Sequence, residues 1–221
     1  MRLPSEVPVM TLPNVILFPQ VMQPLHIFEP RYRRMLADAL ASHRMFAIAM
    51  SQRGHRRNLA ARVAGLGLIR ASVEGRDGTS NLILQGIARV ELGEVVRRRP
   101  YNLHRMRPLP PTGRGSLEAA ALAAKVMELV GERLELGFEP SPAVSGALGE
   151  PAAVQALREV LKHLAHLEDP EQLADLVSAT LLPDARERQV ILETRRLEER
   201  LRFLIVFLRH DIETRRNSQS E

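Results

Sequence analysis

Two lysines, seven histidines and no cysteine set narrow limits on the chemistry this chain can carry. A phosphate-holding loop needs G-x-x-x-x-G-K-[ST], in which backbone N–H groups and the lysine grip the phosphates. Lys125 follows Ala-Ala and precedes Val, and Lys162 stands between Leu and His, so neither fits. Without cysteine there are no disulfides, no thiol nucleophile and no Cys-ligated zinc. His163 and His166 lie three apart on a predicted helix, close to Glu168 and Asp169. That pair alone lacks the ligand count a metal requires, so they are read as surface or interfacial histidines and no metal is expected. His26 sits between Leu25 and Ile27 and is read as a hydrogen-bonded part of a sheet wall, with no triad partner at a defensible spacing. No catalytic residue and no cofactor is expected.

Two binding chemistries remain. Arg53, Arg56, Arg57 and the run Arg97-Arg98-Arg99 form a basic set suited to nucleic acid, but Tyr101 alone supplies an aromatic ring beside them. Phe18, Met22, Phe28 and Tyr32 cluster among proline-rich turns and would suit a peptide groove; the blander reading of each is ordinary core.

These four residues sit in Leu12 to Leu40, the stretch that organises the chain. Pro13, Pro19, Pro24 and Pro30 cut it into apolar runs too short for helices, Val15 to Phe18 and Leu25 to Phe28, which predict brief strands. Glu29-Pro30 then opens a helix, and Tyr32, Met35, Leu36, Ala39 and Leu40 follow at helical spacing. Phe46 to Met50 predicts a buried strand. Ala61 to Glu74 predicts another, with Gly65 and Gly67 permitting a bulge. Arg76-Asp77-Gly78-Thr79 predicts a hairpin turn. Asn81 to Leu92, Val95-Val96 and Tyr101 to Leu109 add strands. Six or seven strands with one helix close most economically into a barrel.

Composition shifts past residue 110. Residues 1–110 hold 17 arginines against 7 acids, and residues 111–221 hold 14 basic against 19 acidic residues. Leu109 to Ser116 has linker composition. Four helices are expected beyond it. The first is capped by Ser116, with Leu117, Ala120, Ala121, Ala124, Met127 and Leu134 on its apolar side. The second spans Ala152 to Leu167. The third is capped by Asp169 before Pro170, with Leu173, Leu176, Val177 and Thr180 inward. The last runs from Ala185 to about Thr214 on a seam of Val190, Thr194, Leu197, Leu201, Leu204 and Leu208. No apolar run is long enough to span a bilayer, and MRLPSEVPVMTL has no secretory h-region. With the missing cysteines, this fits a cytoplasmic protein.

LPNVILFP, PLHIFEPRYR, GLGLIRASVEGRDGTSNLILQGIARVEL, EDPEQLADLVSATL and RQVILETRRLEERL resemble the LON N-terminal domain, the substrate-recognition end of the ATP-dependent protease Lon, which also occurs as a stand-alone bacterial protein. Gln20 stands where LFPG would place glycine, and residues 51–62 match poorly. The resemblance implies an α+β fold: a PUA-like β-barrel with one covering helix over 1–110, a linker at 111–115, and a helical bundle over 116–221. It implies a non-catalytic protein that binds unfolded or exposed apolar polypeptide segments and serves a protease or chaperone in protein quality control. Neither an ATPase nor a Ser-Lys protease module is expected, and no nucleotide or membrane partner. RNA binding through the Arg-rich half is the alternative.

Overall fold

The computed structural model describes residues 3–52, 59–113, 115–137, 155 and 167–219. The chain divides into two compact units, Met1–Pro110 and Pro111–Glu221.

The first unit holds seven strands and one helix among its described residues. They run β1 (Glu6–Leu12), β2 (Met22–Ile27), α1 (Pro30–Leu40), β3 (Met45–Gln52), β4 (Leu59–Ala60), β5 (Val63–Glu74), β6 (Ser80–Arg97) and β7 (Asn102–Pro108). The sheet order is β1-β7-β6-β5-β3-β4, and β2 pairs with β6. β1 also pairs in parallel with β3, Val9 against Ala47 through Leu12 against Met50. The hydrogen-bonded path β1–β7–β6–β5–β3 therefore returns to β1.

Side chains on a strand alternate between faces, and here the alternation builds two cores. On β3, Phe46 and Ile48 join Tyr32, Met35, Leu36 and Ala39 of α1 on one face. Met45, Ala47 and Ala49 meet Val7, Val9, Ala64, Leu66 and Val90 on the other. Because α1 covers the first face, the second is the one the ring encloses. A ring of five strands has little interior room, which suits its alanines and valines.

Val15 to Phe18, expected as a strand, is not one. Residues 13–21 cross the sheet instead, and two glycines beneath them explain why. A Cβ on Gly65 would lie 1.9 Å from the Leu17 carbonyl oxygen, and one on Gly86 would lie 1.9 Å from that of Phe18. The Gln20 N–H donates to the Gly86 carbonyl at 2.7 Å, and the Gly86 N–H donates to Val21 at 2.9 Å. Gln20 takes φ 65°, the left-handed conformation that glycine adopts without steric cost, so the chain keeps this turn with a strained residue. β6 is one 18-residue strand, where separate strands were expected. The expected bulge is present as a register shift between Leu66 and Gly67.

In the second unit the described helices are α2 (Leu117–Glu135), α3 (Pro170–Leu181), α4 (Ala185–Glu193) and α5 (Leu197–Gln219). The helix expected over 152–167, with His163 and His166, lies outside the described residues. Ser116 caps α2, its hydroxyl accepting from the Ala119 N–H at 3.0 Å. The buried face of α2 is Ala119, Ala123, Val126, Leu129, Val130 and Arg133, whereas Leu117 on the expected face is 89% exposed. Alanine is so frequent on this helix that its phase is set by the larger side chains and by Arg133, which pairs with Asp211 and donates to the Gly137 carbonyl at 2.7 Å.

The expected last helix is two. The Thr112 N–H donates to the Arg195 carbonyl at 3.1 Å and the Leu197 N–H donates to the Thr112 carbonyl at 2.9 Å, so the linker occupies the break between α4 and α5. The seam holds at Leu197, Leu201, Leu204 and Leu208, all buried. Upstream of the break the phase changes: Val190 is exposed while Ile191 and Leu192 are buried.

Candidate functional site

Beyond the ring, β5 and β6 extend as a hairpin closed by Gly75 to Thr79. Gly78 has φ 76° there, and Asp77 accepts from the Thr79 N–H and hydroxyl at 3.0 and 2.8 Å. Those two bonds hold the Asp77 carboxyl below its ordinary range. β2 lies against this hairpin, so β2, β6 and β5 form a three-stranded antiparallel arm.

Register assigns the faces of the arm. Pro24 faces Ile83 and Leu25 faces Leu82 across β2 and β6. Ile83 faces Ala71 and Asn81 faces Val73 across β6 and β5. Leu25, Ile27, Leu82, Leu84 and Ile69 therefore share the face that packs on α1. Met22, Pro24, Ile83, Ala71 and Val73 share the opposite face.

A sheet covered on one side normally turns polar residues outward. This one exposes Met22 at 53% and Val73 at 70%. Four polar side chains, in two pairs, interrupt the apolar surface. His26 Nδ1 lies 2.8 Å from the Asn81 side-chain oxygen, and Arg70 donates to Gln85 at 2.6 Å. Phe28, 62% exposed, stacks on His26 with centroids 6.0 Å apart.

The four residues considered for a groove thus separate. Met22 and Phe28 are exposed beside the arm's outward face. Phe18 and Tyr32 are buried and cannot line a surface groove. Phe18 belongs to the crossing segment, its carbonyl resting on Gly86. Tyr32 belongs to the α1 core, where its hydroxyl donates to the Thr11 carbonyl at 3.3 Å and burial raises its pKa. Val73, Ala71 and Ile83 were missed. Alternation along β5 sets Ala71 and Val73 on one face with Ile69, against Arg70, Ser72 and Glu74; the register shift between Ile69 and Ala71 turns them to the opposite face.

Arg97, Arg98 and Arg99 are exposed. Arg97 lies over the Tyr101 ring, 4.8 Å from its centroid. Tyr101 is itself buried and donates to Asp38 at 2.7 Å, so its ring is not open for a base to stack on. Arg53, Arg56 and Arg57 lie outside the described residues.

Residues 6–210 match the family model of the ATP-dependent protease La (LON) substrate-binding domain. The chain belongs to that family. It is 24% identical over 217 residues to the Lon protease of Desulfosudis oleivorans, covering 96% of this chain and 25% of that protein. It is 29% identical over 213 residues to Lon protease 2 of Herpetosiphon aurantiacus, covering 94% of this chain and 24% of the relative. The chain thus spans about a quarter of the length of these curated relatives. In fold it is similar to the N-terminal domain of a Mycobacterium avium complex Lon protease, with TM-score 0.70, 20% identity and coverage of 92% and 97% of the two chains. A Lon N-terminal domain protein from Xanthomonas campestris is also similar, with TM-score 0.64, 18% identity and coverage of 92% and 99%. No helix among the described residues is long and apolar enough to cross a membrane.

Proposed function

We propose that this LON substrate-binding domain recognises unfolded or exposed apolar segments of other polypeptides on the outward face of the β2–β6–β5 arm. Its role is recognition, in the service of a protease or chaperone, with no catalysis of its own. The first unit is then the PUA-like barrel of the family and the second its helical-bundle subdomain. One observation carries the placement of the site: Met22, Pro24, Ile83, Ala71 and Val73 stand outward where a one-sided sheet carries polar residues. Covering this face removes apolar area from water at about 25 cal/mol per Å², from which the ordering of both partners subtracts. An affinity of tens of micromolar, roughly −6 kcal/mol, is the scale expected.

The test is fluorescence anisotropy of a labelled, permanently unfolded casein chain titrated with the domain. Saturable binding on that scale, lost when Met22 and Val73 are both changed to Asp, supports the assignment. Binding that is absent, or unchanged by the two substitutions, removes it.

A further inference from the structure

The apolar face of the arm ends at a strand edge. β5 pairs with β3 only from Gly65 to Leu68, and one further bond runs from the Ile69 N–H to the Arg44 carbonyl at 2.8 Å. From Ala71 to Glu74 the outer edge of β5 has no partner strand among the described residues. Ala71, Val73 and Glu74 are exposed along it. An unpaired edge offers a row of N–H and C=O groups that a further extended chain satisfies. The other edge of the arm, β2, carries Pro24, which has no N–H to offer.

Charge selects the occupant. Arg44 stands where β5 leaves β3, Arg70 lies on β5, and Arg76 lies in the turn that ends it. All three are exposed, and among the described residues none has a carboxylate within salt-bridge distance. Five other exposed arginines of this unit are matched, Arg31 with Glu29, Arg34 with Asp38, Arg62 and Arg107 with Glu91, and Arg105 with Glu94. Arg33, Arg97, Arg98 and Arg99 are exposed without a salt bridge among the described residues, but Arg44, Arg70 and Arg76 are the three that follow one strand edge. Glu74 on the edge and Asp77 in the turn are the acids beside them, and Asp77 is engaged by the Thr79 N–H and hydroxyl.

We propose that polypeptide segments bind by adding a strand to the outer edge of β5 at Ala71–Glu74, with apolar side chains at alternate positions over Val73 and Ala71 and acidic residues flanking them. This rests on the recognition role proposed above and specifies its geometry. A strand added here continues the arm, and its alternate side chains extend the face on which Val73, Ala71 and Ile83 stand. Carboxylates at its ends meet guanidiniums that hydrogen-bond only neutral groups among the described residues, Arg70 to Gln85 and Arg44 to the Ile69 carbonyl, and the attraction weakens with salt.

The probe is a fluorescent peptide, Asp-Ser-Val-Thr-Val-Thr-Val-Ser-Asp, titrated with the intact chain. Two N-methylated versions block alternate N–H groups, one on each edge of the peptide strand. A Lys-flanked version reverses its end charges. The expected result is that one N-methyl series weakens binding about tenfold or more and the other leaves it within about twofold. The Asp-flanked peptide binds more tightly than the Lys-flanked one at low salt, and Arg70→Glu with Arg76→Glu inverts that order. Equal binding by both N-methylated series overturns strand addition while leaving apolar recognition in place. Equal binding of the Asp- and Lys-flanked peptides overturns the charge selection. If neither this peptide nor unfolded casein binds, both the geometry and the recognition role fall together.

Discussion

The Phe18 carbonyl rests on Gly86, so close that a Cβ at position 86 would stand 1.9 Å from its oxygen. The contact pins residues 13–21 across β5 and β6, buries Phe18, and sends the chain into β2 with Met22 facing outward. The arm's exposed surface depends on that crossing.

Gly86→Ala forces backbone against backbone, with no flexible side chain to yield. It should destabilise the fold by roughly 3 kcal/mol. Urea denaturation is the measurement, and a midpoint equal to wild type would show that the crossing segment gives way easily.

Gln20→Gly acts in the opposite direction. Gln20 holds φ 65°, which costs an L-residue about 1 kcal/mol or more, while glycine adopts it freely. After glycine's greater entropy loss, a gain of about 0.5 kcal/mol is expected, read as a small rise in the same midpoint. A loss of stability would mean that the glutamine side chain contributes something its backbone does not reveal.

A buried charge cluster ties α5 to α3. Arg200 lies 3.2 Å from Asp175 and 3.6 Å from Glu171, with Arg200 fully enclosed. Removing one member strands the others, so Asp175→Ala should cost about 3–5 kcal/mol. Replacing Arg200 by Met together with Asp175→Asn and Glu171→Gln should cost far less than the single change. Thermal denaturation of both variants tests this; equal losses would contradict it.

Stability should fall at both ends of the pH scale through Asp38 and Tyr101. The Tyr101 hydroxyl, more than Arg34, holds the Asp38 carboxyl below its ordinary range. Burial, then Asp38, raises the Tyr101 phenol. The folded chain thus takes up the Asp38 proton less readily than the unfolded chain, and its contribution fades as pH falls below about 4. It releases the Tyr101 proton less readily, and that contribution fades as pH rises past about 10. Tyr101→Phe should cost about 1 kcal/mol near neutrality, given the partial exposure of Asp38. Its difference from wild type should shrink at both extremes; a difference constant with pH would sink the explanation.

Much of this architecture is legible in the residues. Pro30 and the spacing of Tyr32, Met35 and Leu36 locate α1, and Asp77-Gly78 locates the hairpin turn. Gly65 and Gly86 were harder, because a glycine signals a close approach without naming what approaches. Arg200 and Asp175 were missed because a charge on an apolar stripe reads as a surface residue until its partner on another helix is known. Arg200 falls three residues after Leu197, inside the seam, and that position was the available hint. The break at residues 194–196 could not be seen, since its cause is Thr112, far away in sequence. Half of the proposed groove was misplaced for a related reason. Phe18 and Tyr32 are near Met22 and Phe28 in the chain, but Phe18 is buried in the crossing segment and Tyr32 on the core side of α1.

The most direct measurement compares unfolded-chain affinity in wild type, Val73→Asp with Met22→Asp, and Leu117→Asp. Leu117 is also exposed but belongs to the second unit. With all three chains shown folded by circular dichroism, binding should drop at least about tenfold in the double variant and stay within about twofold in Leu117→Asp. An unchanged affinity in the double variant would contradict the assignment of recognition to the arm.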